Sequence, residues 1–172
     1  METANCESCG KSKAPLSCGH CHKRICKSCA HFLEEGSFSF LPKVPAELNH
    51  TTYCEPCFYE KVAPEQSKYQ AEMEQAKEIL IFFKQQSKET RLIERSEDPI
   101  EVLDCADRDE TIMRLAFLAS RKGFNSVIDI ELKPKKVRLN AYQTCVWHAV
   151  GIPAQVIDRK LIKDKSLRSY PN

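Results

Sequence analysis

Residues 16–30 read LSCGHCHKRICKSCA, with four cysteines and two histidines in fifteen positions. The cysteines form two Cys-x2-Cys pairs, Cys18/Cys21 and Cys26/Cys29, separated by only four residues. Two further pairs flank them, Cys6/Cys9 and Cys54/Cys57. Two residues between ligands let a tight turn aim both sulfurs at one tetrahedral ion about 2.3 Å away. One such pair could be a redox motif. Four pairs supply eight thiolates, enough to close two structural zinc sites with no position left open. A disulfide framework would need a secretory route, and the first ten residues, METANCESCG, lack the basic-then-apolar pattern of a signal peptide. The chain is therefore expected in a reducing compartment, the cytoplasm, carrying two Zn2+.

Spacing leaves two pairings open. A tandem arrangement uses the first two pairs for one ion and the last two for the other. An interleaved arrangement joins pairs one and three, and pairs two and four. The gaps between successive pairs are eight, four and twenty-four residues. This pattern resembles the FYVE zinc finger. There the middle pairs read Cys-x2-Cys-x4-Cys-x2-Cys, as CGHCHKRICKSC does here, and an aromatic residue follows the last pair, as in YCEPCFYEK. The resemblance covers about residues 3–62 and implies interleaving. Cys6, Cys9, Cys26 and Cys29 would hold the first zinc, and Cys18, Cys21, Cys54 and Cys57 the second.

The resemblance stops at the family's lipid site. FYVE domains bind phosphatidylinositol 3-phosphate through a Trp-x-x-Asp element, a basic run around the third cysteine and an arginine before the seventh. This chain reads APLSCGH around Cys18 and TTY before Cys54, and its one tryptophan is Trp147. Eight thiolates and two zincs sum to −4, which takes residues 1–60, with six Lys/Arg and seven Asp/Glu, to about −5. Lys23, Arg24 and Lys27, with Lys11 and Lys13, remain the candidates for ligand contact. A RING finger is the alternative relative, with Cys18-x3-His22-x3-Cys26-x2-Cys29 as its centre. Taking His22 as a ligand strands Cys21, so the thiolate-only set is preferred, and His20 and His22 are read as surface or supporting residues. Leu16, Ile25 and Phe58 would serve a ligase surface or the finger's own small core.

Between pairs three and four, SFSFL alternates and predicts a short strand, and Pro42 and Pro45 predict a loop after it. Pro64-Glu65-Gln66 is a helix start, and no glycine or proline follows until after residue 90. Tyr69, Met73, Ala76, Leu80 and Phe83 then fall at heptad spacing. The expectation is a connecting amphipathic helix over 64–90, packed on its own domain or forming a homodimeric coiled coil.

Beyond Pro99, DPIEVLDC predicts a strand. Asp107 and Glu110 cap a helix whose apolar face is Ile112, Leu115, Ala116, Leu118 and Ala119, and Gly123 ends it. NSVIDIEL predicts a strand, KPKKVRLN a basic hairpin loop and AYQTCVWHAVG the returning strand. This stretch is similar to the YbjQ-like family, also labelled a heavy-metal-binding domain, with KGFNSVIDIEL and VWHAVGIPAQV at the family's helix end and last strand. Cys105, Cys145 and His148 lack metal spacing and are read as buried thiols and a satisfied histidine.

The reading is thus α+β: a two-zinc finger over 1–62, a linker helix over 63–97, a strand-helix-strand-strand domain over 98–160 and a basic tail over 161–172. There is no phosphate-cradling glycine loop, nucleophile elbow or open-site zinc pattern, so no enzyme is expected. Formal net charge is +2, with eleven Lys/Arg and four Asp/Glu after residue 120. The expected partner is a protein. Membrane phosphoinositide is not an expected partner, because the basic lipid-binding motif is missing, and neither is nucleic acid, because the basic segments KPKKVR and RKLIKDKSLR have little aromatic interleaving. The helix and the C-terminal domain are the candidate surfaces for self-association.

Overall fold

The computed structural model describes residues 5–84, 92–96, 98–139 and 142–157. It is an α+β chain made of two compact units, Met1–Ala71 and Glu72–Asn172.

The first unit is built on two small antiparallel hairpins. Strands β1 (Leu16–Ser17) and β2 (Arg24–Ile25) pair in the register Leu16↔Ile25 and Ser17↔Arg24. Strands β3 (Ala30–Phe32) and β4 (Thr52–Cys54) pair as Ala30↔Cys54 and Phe32↔Thr52. The segment SFSFL is not a strand. Ser37, Ser39 and Leu41 each donate a backbone N–H three residues back, to Glu34, Gly36 and Phe38. Phe38 is buried in this run of turns, so the alternation of the sequence reports burial. With no partner strand among the described residues and with Gly36 at φ +80°, the backbone takes local turn bonds instead of a ladder. A core of Ile25, Leu33, Phe38, Leu48, Tyr53 and Val62 packs around buried cysteines.

Helix begins before Pro64. A short helix α1 (Glu55–Cys57) runs into a wider, π-type turn over Phe58–Val62 and then into α2 (Ala63–Lys77). The wide turn lies where the proline's ring and missing N–H disturb the regular ladder. The helix expected over 64–90 ends at Lys77. Glu78 and Ile79 close it with bonds to Gln75 and Ala76, and Leu80–Phe83 is strand β5. The coiled-coil seam is therefore corrected: Leu80 and Phe83 lie in a sheet, and Tyr69 packs edge-on against Phe38 at 5.3 Å. The physical reason is the run ILIFF, which suits a strand buried on both faces better than an amphipathic helix. The end of the expected helix, 85–90, lies outside the described residues.

The second unit is a five-stranded sheet with one helix against it. Besides β5 it contains β6 (Leu92–Arg95), β7 (Ile100–Cys105), β8 (Ser126–Leu139) and β9 (Tyr142–Val156), with α3 (Arg108–Arg121) between β7 and β8. The strand β5 runs parallel to β8, and β8 is antiparallel to β9. The far edge of β9 is shared: β6 pairs with its end and β7 with Trp147–Gly151. Asp107 caps α3 by accepting from the Glu110 N–H at 2.8 Å, and the Glu110 carboxylate accepts from Ala106 at 2.9 Å. Such a cap contributes about 1 kcal/mol. Thr111, Ile112, Leu115, Ala116, Phe117 and Ala119 are its buried residues, and Gly123, at φ +83°, stops it. Gly151 lets β9 cross the core closely, because a Cβ there would lie 2.5 Å from Val127 Cγ1.

KPKKVRLN is not a loop. Lys133 to Leu139 continue β8 and pair residue by residue with β9, from Lys133↔His148 to Leu139↔Tyr142. Proline and lysine read as loop signals, but among the described residues β8 has no second neighbour after Phe83↔Ile130, and an edge strand tolerates both. The segment 161–172 lies outside the described residues.

Candidate metal centre

The hairpin β1–β2 explains how neighbouring cysteine pairs part company. Cys18 follows β1 at the hairpin's turn end, where its N–H donates to the Lys23 carbonyl at 2.9 Å. Cys26 follows β2 at the opposite end. Four residues of sequence thus become the length of a hairpin, and the two pairs face different groups.

Two sulfur groups result, Cys6/Cys9/Cys26/Cys29 and Cys18/Cys21/Cys54/Cys57, with all sulfurs of each group within 4.8 Å of one another. This is an interleaved, cross-brace arrangement. Cys9 and Cys26 Sγ are 3.8 Å apart, and Cys21 and Cys54 Sγ are 3.6 Å apart. Four sulfurs bonded to one zinc at 2.3 Å sit about 3.8 Å from each other, whereas a disulfide would require about 2.05 Å. The donor set and spacing therefore fit two metal ions of the zinc type, and every cysteine is free of disulfides.

Each group combines two kinds of pair. The first and second pairs are tight turns. Gly10 donates to the Cys6 carbonyl at 2.8 Å, and His22 donates to the Cys18 carbonyl at 2.9 Å. Gly10 and His22 both take positive φ, +73° and +60°. The third and fourth pairs open short helical turns, Lys27–Cys29 and Glu55–Cys57, with Cys26 and Cys54 as extended residues before them. His22 is exposed and occupies the glycine position of a knuckle. His20 is also exposed, and neither histidine belongs to a sulfur group. The register CxxCG against CxxCH was a signal for this role that spacing of ligands alone did not convey. Gly19 is constrained by space instead, since a Cβ on it would lie 2.4 Å from His50 Cβ.

The thiols within each group are shifted in opposite directions. The Cys26 N–H donates to Cys6 Sγ at 3.3 Å and lowers that thiol to about 6 from an ordinary 9.0. Burial pushes the Cys18 thiol up, but backbone N–H groups of Cys21, Cys54 and His20 outweigh it and bring it to about 6. In contrast, hydrogen bonds among the crowded thiols, from Cys26 first, push Cys29 up to about 12. Cys57 is raised by burial and then by its neighbours. Four ionised sulfurs this close repel one another, and a dication between them removes that cost.

Around the groups, Tyr53 is fully buried, donating to the Glu47 carbonyl at 2.8 Å and accepting from His50 N–H at 3.2 Å. Phe58 stacks on His31 at 4.6 Å. Ile25 is buried, while Leu16 and Phe58 are half-buried against the same core. Lys23, Arg24 and Lys27 are exposed and lie outside both sulfur groups, with Lys23 3.6 Å from Glu7. In the second unit, Cys105 is buried, but Cys145 is exposed, correcting its reading as a core thiol. His148 Nε2 is 3.1 Å from Asp104 Oδ1. Cys105, Cys145 and His148 form no metal group among the described residues.

The chain matches no family model, and no curated protein or solved structure matches it significantly.

Proposed function

We propose that the chain is a non-enzymatic, zinc-stabilised interaction module, in which a FYVE-like finger and a small YbjQ-like α+β domain hold a protein partner. The observation that carries this reading is the closed donor set. Each group offers four sulfurs, which saturates a tetrahedral ion, whereas a catalytic zinc keeps one position for water or substrate. The zinc would act as the finger's core, supplying on the order of 10 kcal/mol per ion to a unit with few large apolar side chains. Lipid recognition of the FYVE kind is set aside because the residues flanking Cys18 and Cys54 are not basic.

The test is affinity purification of the full chain beside its Cys54→Ser variant, with the retained proteins identified by mass spectrometry. A partner retained by the wild type and lost with the finger is the expected result. Stimulated discharge of ubiquitin from a charged conjugating enzyme by the purified chain would overturn the reading and make the finger a RING-like ligase module.

A further inference from the structure

Among the described residues, the end of the β8–β9 hairpin has no further strand beside it. β7 makes its last pair with β9 at Cys105↔Trp147, and β5 its last with β8 at Phe83↔Ile130. Past these points, among the described residues, Lys135–Leu139 and Tyr142–Val146 pair only with each other. Five residues at about 3.3 Å each carry a two-stranded ribbon about 16 Å beyond the other described strands of its sheet. No carboxylate occurs between Leu132 and His148 in the sequence. Lys133 is tied to Glu131 at 3.2 Å. Lys135, Lys136 and Arg138 are exposed and have no acidic partner among the described residues.

Their register places the cations on both faces. Lys136 and Arg138 share a face with Cys145 and Gln143, while Lys135 lies on the other with Val146. Read as a loop, KPKKVR offers charges without a scaffold. As a ladder it presents them at fixed spacing on a rod two strands wide.

We propose that this ribbon binds double-stranded DNA through its phosphates, lying in the major groove. That groove is about 12 Å wide and admits a two-stranded ribbon. Its two walls carry phosphates on either side, which matches cations on both faces. An anionic membrane is flat and would engage one face. Single-stranded nucleic acid needs aromatic side chains to stack on, and between Lys133 and Val146 only Tyr142, 79% exposed, is aromatic. Gln143 and Thr144, both exposed on β9, add hydrogen-bonding groups at the ribbon's end. Lysine and proline also protect open strand edges from pairing, a role that brings no affinity for DNA, so one experiment separates the two.

The experiment measures fluorescence anisotropy of a labelled, mixed-sequence duplex of about two helical turns against the full, metal-loaded chain, between about 50 and 200 mM salt. The triple variant Lys135→Ala/Lys136→Ala/Arg138→Ala should bind about tenfold or more weaker, and the slope of log affinity against log salt should fall by about two to three. The variant Lys135→Arg/Lys136→Arg should keep wild-type binding. All three positions are exposed, and amide exchange of β8 and β9 checks that the ladder is intact. Absence of wild-type binding at low salt, or unchanged affinity in the triple variant, would overturn the proposal. So would tighter capture by anionic vesicles, by an acidic peptide or by single-stranded DNA of the same length.

Discussion

Cys21 Sγ lies 3.6 Å from Cys54 Sγ across thirty-three residues of sequence, while Cys26, five residues from Cys21, belongs to the other sulfur group. The hairpin between them makes this possible, and with it two sites that depend on different parts of the chain.

Removing one ligand should therefore cost one site. Cys18→Ser is expected to release the ion shared with Cys21, Cys54 and Cys57 and to leave the ion at Cys6, Cys9, Cys26 and Cys29. Native mass spectrometry should show the bound metal fall from two to one per chain. If the lost ion were instead the one protected by Cys6 and Cys9, a tandem pairing would replace the interleaved one.

His22 offers a sharper contrast. It takes a left-handed conformation at φ +60°, where a side chain costs about 1 kcal/mol relative to glycine. His22→Gly should keep both metals and change thermal stability by no more than about 1 kcal/mol, with the glycine's extra unfolded-state entropy offsetting the relief. Loss of a metal in this variant would identify the histidine as a ligand.

Acid should empty the sites. Metal binding requires thiolates, so protons compete with it. The Cys6 and Cys18 thiols are held at about 6, below their ordinary 9.0. A depressed value contributes stability that is present above the ordinary value and lost as pH falls through the folded one. The bound cation depresses both further, so release to a chromogenic chelator is expected below about pH 6, and none on going from pH 7 to 9. Retention at pH 3, or release on alkalinisation, would contradict thiolate ligation.

Chelation should separate the two units. Without metal, residues 5–62 are expected to lose amide protection, because their core is built around cysteines. The sheet of Ile100, Val102, Val127, Ile130 and Ala149 packed on Leu115 and Ala119 should keep its protection. Exchange measured before and after chelation tests this, and equal loss in both units would show that they fold as one.

The cysteine pairs, the capped helix at Asp107 and the strands at Ile100 and Ser126 were legible because each rests on a local rule: turn geometry, a cap, an apolar run. The failures share another cause. SFSFL has a strand's alternation but no strand to pair with. ILIFF fits a helical seam only until β8 offers it a parallel neighbour. KPKKVR carries loop residues but lies beside the β9 segment with Tyr142, Thr144, Val146 and Trp147, which carries the ladder outward. In each case the presence or absence of a long-range partner among the described residues decided the backbone, and no local pattern reports that partner. The interleaving, too, depended on a hairpin of two residues per strand, too short to register as periodicity.

Zinc K-edge X-ray absorption on the purified chain, with the metal content of the same sample, tests the account most directly. Two zincs per chain, each with four sulfurs at about 2.3 Å and no nitrogen in the coordination shell, are the predicted result. One zinc per chain, or a histidine nitrogen at about 2.0 Å, would contradict it.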